Sequence, residues 1–324
     1  MTIRRLVTAA VVLGVAAGVV STIATFQGCV PADTRPVPGA LTVTVSPSQG
    51  ILGGVTTVDG WNVSFERVLV AIGGVRLGDS CLTYTEPDYD RVLDVTTKGQ
   101  QKLSITYAIG TCSFGFRVQP PSTDSLLGDG VAEDDKTLLR TPGADAYVAR
   151  GGIAYSIAGH ATRGDVTKHF QLIFRPRVRY RNCTLTADGG DPVDLPSAAS
   201  LVYDIRIEAE AVLRDDVDAA APLRFDPFAK ADQNGDGQIT LDELRALPIA
   251  DVRDGGAFEA GTYDVDDDGG LVRQGKPIVI ETFGDYVYEV LIPAIPRFQG
   301  GGTCTASVRG TLGDGGNGGA PPGN

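Results

Sequence analysis

Histidine, methionine and tryptophan are scarce in this chain, whose 324 residues include two histidines, one methionine and one tryptophan. His160 and His169 are too far apart for the HExxH pattern of zinc peptidases, and neither a phosphate-loop glycine motif nor a GxSxG elbow occurs. Zinc binding through cysteine pairs is not indicated either, because the sequence has no CxxC. We therefore expect a protein that is not an enzyme, with a hydrolase of unrecognised site as the weaker alternative.

The two histidines leave one alternative open. They would bind a soft metal if two strands brought them together, although ordinary polar positions on strand faces are the preferred interpretation. The single tryptophan, Trp61, is expected to fill the core.

Positive charge is also in deficit. Lysine and arginine total 28 against 40 aspartates and glutamates, which gives a net charge of −12 at pH 7. This acidity argues against a nucleic-acid partner and suits solubility and divalent cations.

Oxygen-bearing side chains are regularly spaced in one short segment, DQNGDGQITLDE, from Asp232 to Glu243. A calcium ion takes about six to eight oxygen ligands, which a short loop supplies by offering one at roughly every second residue around a sharp turn. Gly237 at the sixth position permits that turn. The apolar Ile239 at the eighth position should tie the loop to a core or to a partner loop.

The segment resembles the calcium-binding loop of the EF-hand family at every defining position. The resemblance implies Ca²⁺ as cofactor and ligands from Asp232, Asn234, Asp236, Gln238 (backbone carbonyl), Thr240 (through a water) and Glu243 (both carboxylate oxygens). With its flanking helices the resemblance covers about thirty residues, so it identifies a site and not the whole protein. The flanks predict a short entering helix with Pro227 in its first turn, and an exiting helix capped by Thr240 and ended by Pro248.

A second acidic segment, DVDDDGGLVRQG, runs from Asp264 to Gly275. Asp264, Asp266, Asp268 and Gly270 are its candidate ligands, but Gly275 at the twelfth position has no carboxylate to close the shell. A vestigial loop or an acidic turn is therefore preferred to a second calcium site, which a ligand from elsewhere would have to complete.

The N-terminus predicts export. Arg4 and Arg5 precede an apolar stretch from Leu6 to about Ala24, as in a secretory signal peptide over residues 1–28. FQGC, ending at Cys29, resembles a bacterial lipobox, with a flexible tether over 29–40. The resemblance implies lipid on Cys29 and an envelope lipoprotein, held in the outer membrane and facing the periplasm or the cell surface. Plain secretion and an uncleaved anchor remain open.

Cysteine usage agrees with export. With Cys29 set aside for lipid, Cys81, Cys112, Cys183 and Cys304 remain. An even number in an exported chain favours two disulfides, with three possible connectivities. Of these we prefer Cys81 with Cys112 and Cys183 with Cys304.

Most of the remaining chain predicts strands. Alternating segments occupy 41–45, 62–72 and 103–109, separated by Gly, Pro and Asp clusters, and one helix is predicted late, in ETFGDYVYEVLIP up to Pro293. The fold class is therefore mainly β: an antiparallel β-sandwich-like domain with an inserted EF-hand helix-loop-helix and one late amphipathic helix. The predicted boundaries are a β body over 41–220, a calcium-binding insertion over 221–275, the helix and a closing strand over 276–312, and a disordered Gly-rich tail over 313–324.

Two strand-like segments carry opposite charges. HFQLIFRPRVRYR (169–181) alternates apolar residues with arginines, and LVYDIRIEAEA (201–211) alternates them with several carboxylates. We expect the two segments to pair side by side and antiparallel, with guanidinium facing carboxylate. An anion site on the arginine stripe is the alternative.

Two functions from different classes remain. The first is an exported calcium-binding lipoprotein, in which the ion orders an inserted segment of a β-rich envelope domain. The second is an envelope domain that binds a nutrient, a metal complex or a partner protein through its β body, with calcium only structural.

Overall fold

The computed structural model describes residues 35–78, 81–85, 87–143, 151–185, 193–253, 257–258, 262–263 and 278–309. The predicted signal segment, the lipid acceptor Cys29, the second acidic loop at 264–275 and the tail at 313–324 lie outside the described residues.

Strands make up most of the described chain. They are β1 (Gly39–Pro47), β2 (Val55–Thr56), β3 (Asn62–Leu77), β4 (Leu82–Thr85), β5 (Asp90–Asp94), β6 (Gln101–Cys112), β7 (Phe114–Val118), β8 (Leu126–Leu127), β9 (Tyr155–Arg163), β10 (Val166–Phe174), β11 (Arg177–Cys183), β12 (Val193–Leu195), β13 (Ser200–Ile207), β14 (Gln238–Thr240), β15 (Thr262–Tyr263), β16 (Ile278–Val279), β17 (Pro296–Phe298) and β18 (Thr305–Arg309).

The helices are short. They are α1 (Gln49–Gly53), α2 (Glu133–Arg140), α3 (Asp226–Ala231), α4 (Leu241–Ala246) and α5 (Phe283–Tyr286), with 3₁₀ turns at Ala209–Leu213, Ile249–Asp251 and Ile292–Ala294 and a wider π-type turn at Val287–Leu291. Among the described residues, none of these helices combines the length and the apolar character needed to cross a membrane.

The strands form two main sheets and one small pair. The larger sheet has the order β14-β10-β9-β3-β7-β11-β18, with β2 and β5 also pairing with β3 and β8 pairing with β5. The smaller sheet has the order β12-β6-β1-β13-β17, with β4 pairing with β6, and β15 pairs with β16. Most pairs are antiparallel, but β1–β13, β10–β14 and β5–β8 are parallel. The predicted mainly β class is confirmed, and both main sheets are mixed.

Inward-facing side chains of the two sheets meet in one hydrophobic core. Leu41 and Val43 of β1 belong to the same buried cluster as Val70 and Ile72 of β3, because alternate residues of each strand face inward. This shared core is what a sandwich-like arrangement requires. Trp61 is 2% exposed and belongs to the cluster, as predicted.

By its internal contacts the chain divides into a unit over Met1–Val37 and a unit over Pro38–Asn324. Of the first unit, only residues 35–37 are described. The second unit contains both main sheets and all the helices given above.

The expected pairing between the two charged segments is wrong. Pro176 cannot donate a hydrogen bond to a neighbouring strand, and the chain breaks there into β10 and β11. β11 pairs with β7 and β18, whereas β13 pairs with β1 and β17. Core packing selects these neighbours: Tyr180 of β11 stacks on Phe116 of β7 with ring centroids 4.5 Å apart.

The carboxylates of the second charged segment have other partners. Asp204 accepts a hydrogen bond of 2.7 Å from the Thr44 hydroxyl, and Glu208 pairs with Arg214 at 2.8 Å. On the arginine segment, Arg179 and Arg181 line a cavity of 80 Å³. The alternation of charged residues was therefore predicted correctly, but the pairing of the arginines with the carboxylates of the second segment was not.

The late helix begins where it was predicted. Thr282 accepts a hydrogen bond of 3.0 Å from the Asp285 amide, and the Asp285 carboxylate accepts one of 2.8 Å from the Thr282 amide, which fixes the first turn. Regular α-helix ends at Tyr286 and continues as the wider turn. The residues that repeat at helical spacing are buried, namely Phe283, Tyr286, Val287, Val290 and Leu291. Tyr288 and Ile292, on the opposite side, are buried as well.

Both predicted disulfides are present. Cys81, just before β4, is bonded to Cys112 at the end of β6, and Cys183, at the end of β11, is bonded to Cys304, just before β18. Such bonds persist in oxidising compartments, so they indicate a location outside the cytoplasm.

Candidate metal centre

The predicted calcium loop joins α3 to α4. α3 begins at Asp226 with Pro227 in its first turn, as predicted. The carboxylate of Asp59 accepts hydrogen bonds of 2.8 Å and 2.7 Å from the amides of Phe225 and Asp226, and Trp61 donates one of 2.9 Å from its ring nitrogen to Asp226. The entering side of the loop is therefore fixed to the turn before β3.

The exiting helix has the predicted cap. The Glu243 amide donates to the Thr240 hydroxyl at 3.4 Å, and Oε2 of Glu243 accepts from the Thr240 amide at 2.9 Å. Leu244 and Leu247 are buried, and the helix ends before Pro248. The apolar side of α4 thus holds the last ligand position of the loop against the core.

The turn of the loop is held by its own polar side chains. Gly235 and Gly237 have φ of 72° and 77°, a region in which a Cβ would be strained, so the predicted role of Gly237 is confirmed. Oδ1 of Asn234 accepts from the Asp236 amide at 2.9 Å, and Oδ1 of Asp236 accepts from the Gln238 amide at 2.7 Å. These bonds fix the side chains of Asn234 and Asp236 against the backbone of the turn.

The second half of the loop is attached to the larger sheet. β14 pairs in parallel with β10, with Ile239 opposite Phe170, and the His169 amide donates to the Gly237 carbonyl at 2.8 Å. Ile239 is fully buried, which confirms the expectation that the eighth position ties the loop to a core. The strand β10 therefore supports the second half of the loop.

Asp232, the first ligand position, is the most constrained residue of the loop. Its side chain is 0% exposed, and its Oδ2 accepts a hydrogen bond of 3.0 Å from the Gly237 amide and one from the Lys168 ammonium. The contact with Lys168, supported by the amides of Gly237 and Gly235, holds the pKa of Asp232 below its ordinary value, so the carboxylate is ionised at neutral pH. Its other oxygen, Oδ1, is buried without a hydrogen-bond partner among the described residues.

An unpartnered oxygen of a buried, ionised carboxylate is costly, because its lost hydration is not replaced. Three carboxylates converge at this point. One oxygen from each of Asp232, Asp236 and Glu243 lies within 4.8 Å of the other two. Hard oxygen donors at this spacing, with no nitrogen or sulfur among them, suit a calcium-like cation.

The remaining predicted ligands lie in the same loop with other contacts. The Asn234 amide nitrogen donates to Oδ2 of Asp236 at 3.0 Å, and Gln238 lies in β14. The Thr240 hydroxyl donates to Oε2 of Glu243 at 3.1 Å. Closure of a shell by both oxygens of Glu243 would therefore exchange the bonds to Thr240 for bonds to the ion.

Lys168 is the residue of this site that the sequence did not indicate. It is 64 positions from Asp232 along the chain, and nothing in its local pattern distinguishes it from other lysines. Only the pairing of β14 with β10 brings the two together. The candidate ligands of the second acidic loop, Asp264, Asp266, Asp268 and Gly270, lie outside the described residues.

Comparison with protein-family models, with curated proteins and with solved structures gives no match for this chain.

Proposed function

We propose that this protein is an exported, calcium-binding lipoprotein of the cell envelope, in which Ca²⁺ orders the loop from Asp232 to Glu243 against the edge of the larger sheet. The observation that carries the proposal is Oδ1 of Asp232, which belongs to a buried, ionised carboxylate beside two further carboxylates and has no hydrogen-bond partner among the described residues. A divalent cation bound there would satisfy that oxygen directly.

The charges at the site favour a divalent ion over a monovalent one. Three carboxylates converge, and one ammonium, that of Lys168, is paired with Asp232. The cluster therefore keeps a formal charge of about −2, which a single Ca²⁺ neutralises.

Calcium is expected to set local order and not to dominate the stability of the whole fold. For a dissociation constant of about 0.1 to 1 mM in about 1 mM calcium, mass action contributes about 0.4 to 1.4 kcal/mol. At that calcium concentration such a site is filled in about half to nine-tenths of the molecules.

The proposed location in the cell envelope is supported by features outside the calcium loop. The two disulfides indicate an oxidising compartment, and the segment FQGC at Cys29 supports attachment through an N-terminal lipid. Together they support an envelope lipoprotein that carries the calcium loop on the β-rich unit.

Calcium titration calorimetry on the purified protein and on Glu243→Gln tests the site. The substitution removes one negative charge at similar size, so we expect the calcium affinity to fall by about tenfold or more. Asp242→Asn is the matched control. The carboxylate of Asp242, which precedes Glu243 in the sequence, is 87% exposed and paired with Arg245. That variant should bind calcium like the unmodified protein.

Trp61 gives an independent readout. As the chain's one tryptophan, bonded to the first residue of α3, it should change its fluorescence when the loop closes on the ion. Calcium binding of equal strength in the unmodified protein and in Glu243→Gln would refute the assignment of the loop.

A further inference from the structure

The chain's two histidines lie directly opposite each other on neighbouring strands. In the pairing of β9 with β10, His160 faces His169, and their ring centroids are 6.0 Å apart. Opposed residues of an antiparallel pair point to the same face of the sheet. The two strands therefore bring the histidines together, which is the arrangement that metal binding by this pair requires.

A β-bulge in β3 directs a third side chain, that of Glu66, towards this pair. Ser64 of β3 lies opposite His160, but the register shifts between Phe65 and Arg67, so Glu66 is the inserted residue. A bulge turns a side chain out of the regular alternation, and Glu66 and Arg67 are both exposed in consequence. Oε1 of Glu66 lies 2.7 Å from Nδ1 of His160.

This contact fixes the form of the His160 ring. A carboxylate can only accept, so Nδ1 of His160 carries the proton and donates it to Glu66. The lone pair of a neutral ring is then on Nε2. A carboxylate on one ring nitrogen is the usual support of a histidine whose other nitrogen binds a metal, since it orients the ring and raises its basicity.

The row of residues continues to the calcium loop. His169 is opposite His160 on one side and opposite Gln238 of β14 on the other, so an exposed polar row crosses the four strands β3, β9, β10 and β14. The row is open to solvent: the side chain of His160 is 34% exposed and that of Glu66 is 56% exposed. The protein's net charge of −12 favours cations at its surface.

We propose that His160 and His169 form a second metal site, distinct from the calcium loop, which binds a borderline divalent transition-metal ion such as Zn²⁺ or Cu²⁺. Imidazole nitrogen suits these ions, whereas the all-oxygen loop suits calcium. Both imidazoles supply one nitrogen each, Glu66 orients His160, and water completes the coordination. The site goes beyond calcium binding and does not depend on it.

Zinc titration of the untagged protein, with calcium in excess to fill the loop, tests this proposal. Because the chain has two histidines, the ring signals in NMR spectra are those of His160 and His169 alone. We expect both rings to shift together and to saturate at one Zn²⁺ per chain. Cu²⁺ should bind more tightly than Zn²⁺, in line with the general order of affinities for nitrogen sites.

Three substitutions complete the test. His169→Gln and His160→Gln should abolish the calorimetric signal for zinc, and Glu66→Gln should weaken zinc binding about tenfold, because the amide orients the ring but does not raise its basicity. Gln171→Ala, an exposed change on the same strand, is the control and should leave zinc binding unchanged.

Glu243→Gln separates this proposal from the calcium site. It should weaken calcium binding and leave zinc binding as it was. Zinc affinity that survives loss of either histidine, or ring signals that do not move with zinc, would overturn the proposal. Zinc binding lost in Glu243→Gln would show that zinc enters the calcium loop instead.

Discussion

At the scale of single residues, Lys168 acts as an internal counter-ion of the proposed calcium site. Its ammonium donates a hydrogen bond to Oδ2 of Asp232, while Oδ1 of the same carboxylate has no partner within the part of the chain that the structure describes. One oxygen of the first ligand is therefore neutralised by the protein, and the other is left for the ion. Such a lysine stabilises the loop before calcium arrives and repels calcium once it is bound.

Lys168→Met is expected to raise the calcium affinity by about threefold to tenfold, since a positive charge close to the ion is removed in a partly solvated position. The calcium-free form should become less stable, because Asp232 loses its partner. Calorimetry measures the first effect and thermal unfolding in chelator the second. Lys102→Met, an exposed lysine on the other sheet, is the control; an equal gain there would assign the effect to net charge.

Two core tyrosines give the fold a limit at high pH. Tyr155 and Tyr180 are almost fully buried, and burial raises the pKa of both phenols above the ordinary value. A group with a raised folded pKa adds stability that is complete below its unfolded pKa and is lost as the pH rises toward its folded pKa.

Stability should therefore fall as the pH rises above about 10, the unfolded pKa of tyrosine. Circular dichroism between about pH 9 and pH 12 measures this loss. Tyr155→Phe removes one of the two phenols and should make the loss less steep. A profile identical to that of the unmodified protein would exclude Tyr155 as its cause.

At the scale of elements, the calcium loop is a local feature supported by a distant one. All its predicted ligands lie within one short segment, so their spacing alone was sufficient to predict the turn at Gly237 and the cap of α4. The pairing of β14 with β10 joins residues far apart in sequence. No periodicity in either segment specifies that contact, because pairing depends on what the core accepts.

The same distinction explains why the predicted pairing of the arginine segment with 201–211 was wrong. The alternation in 169–181 correctly predicted which residues are buried, including Phe170 and Tyr180. It did not reveal that Pro176 divides the segment, or that β7 and β18 are the neighbours of β11. The alternation of buried and exposed side chains can be read from the sequence of one strand. Which strand pairs with it depends on the packing of the whole core.

Because β10 supports the first loop, the second acidic segment should not be needed for calcium binding there. We expect Asp264→Asn, Asp266→Asn and Asp268→Asn, combined in one variant, to keep the affinity of the first loop within about a factor of two. Calorimetry of this variant measures the affinity and the number of ions together. A tenfold loss would show that the two loops act as a pair.

At the scale of the whole molecule, the two disulfides differ in how much chain they close. The bond from Cys81 to Cys112 spans 31 residues, and the bond from Cys183 to Cys304 spans 121. The longer one joins the end of β11 to the start of β18, so the entire calcium segment lies within its loop. A longer closed loop restricts the unfolded chain more strongly.

Replacing Cys183 and Cys304 by alanine should therefore lower the free energy of unfolding by about 4 to 5 kcal/mol, and replacing Cys81 and Cys112 by about 3 to 4 kcal/mol. Denaturant unfolding of the two double variants measures both values. The reverse order would indicate that contacts in the folded state, and not restriction of the unfolded chain, decide the effect.

The position of β14 has a consequence for how this protein behaves among its neighbours. β14 is the outermost strand of the larger sheet and covers part of β10, which is otherwise the edge of that sheet. An uncovered strand edge offers unpaired amides and carbonyls on which a strand of another molecule can add. The pairing of β14 with β10 therefore shortens the part of this edge on which a strand of another molecule can add.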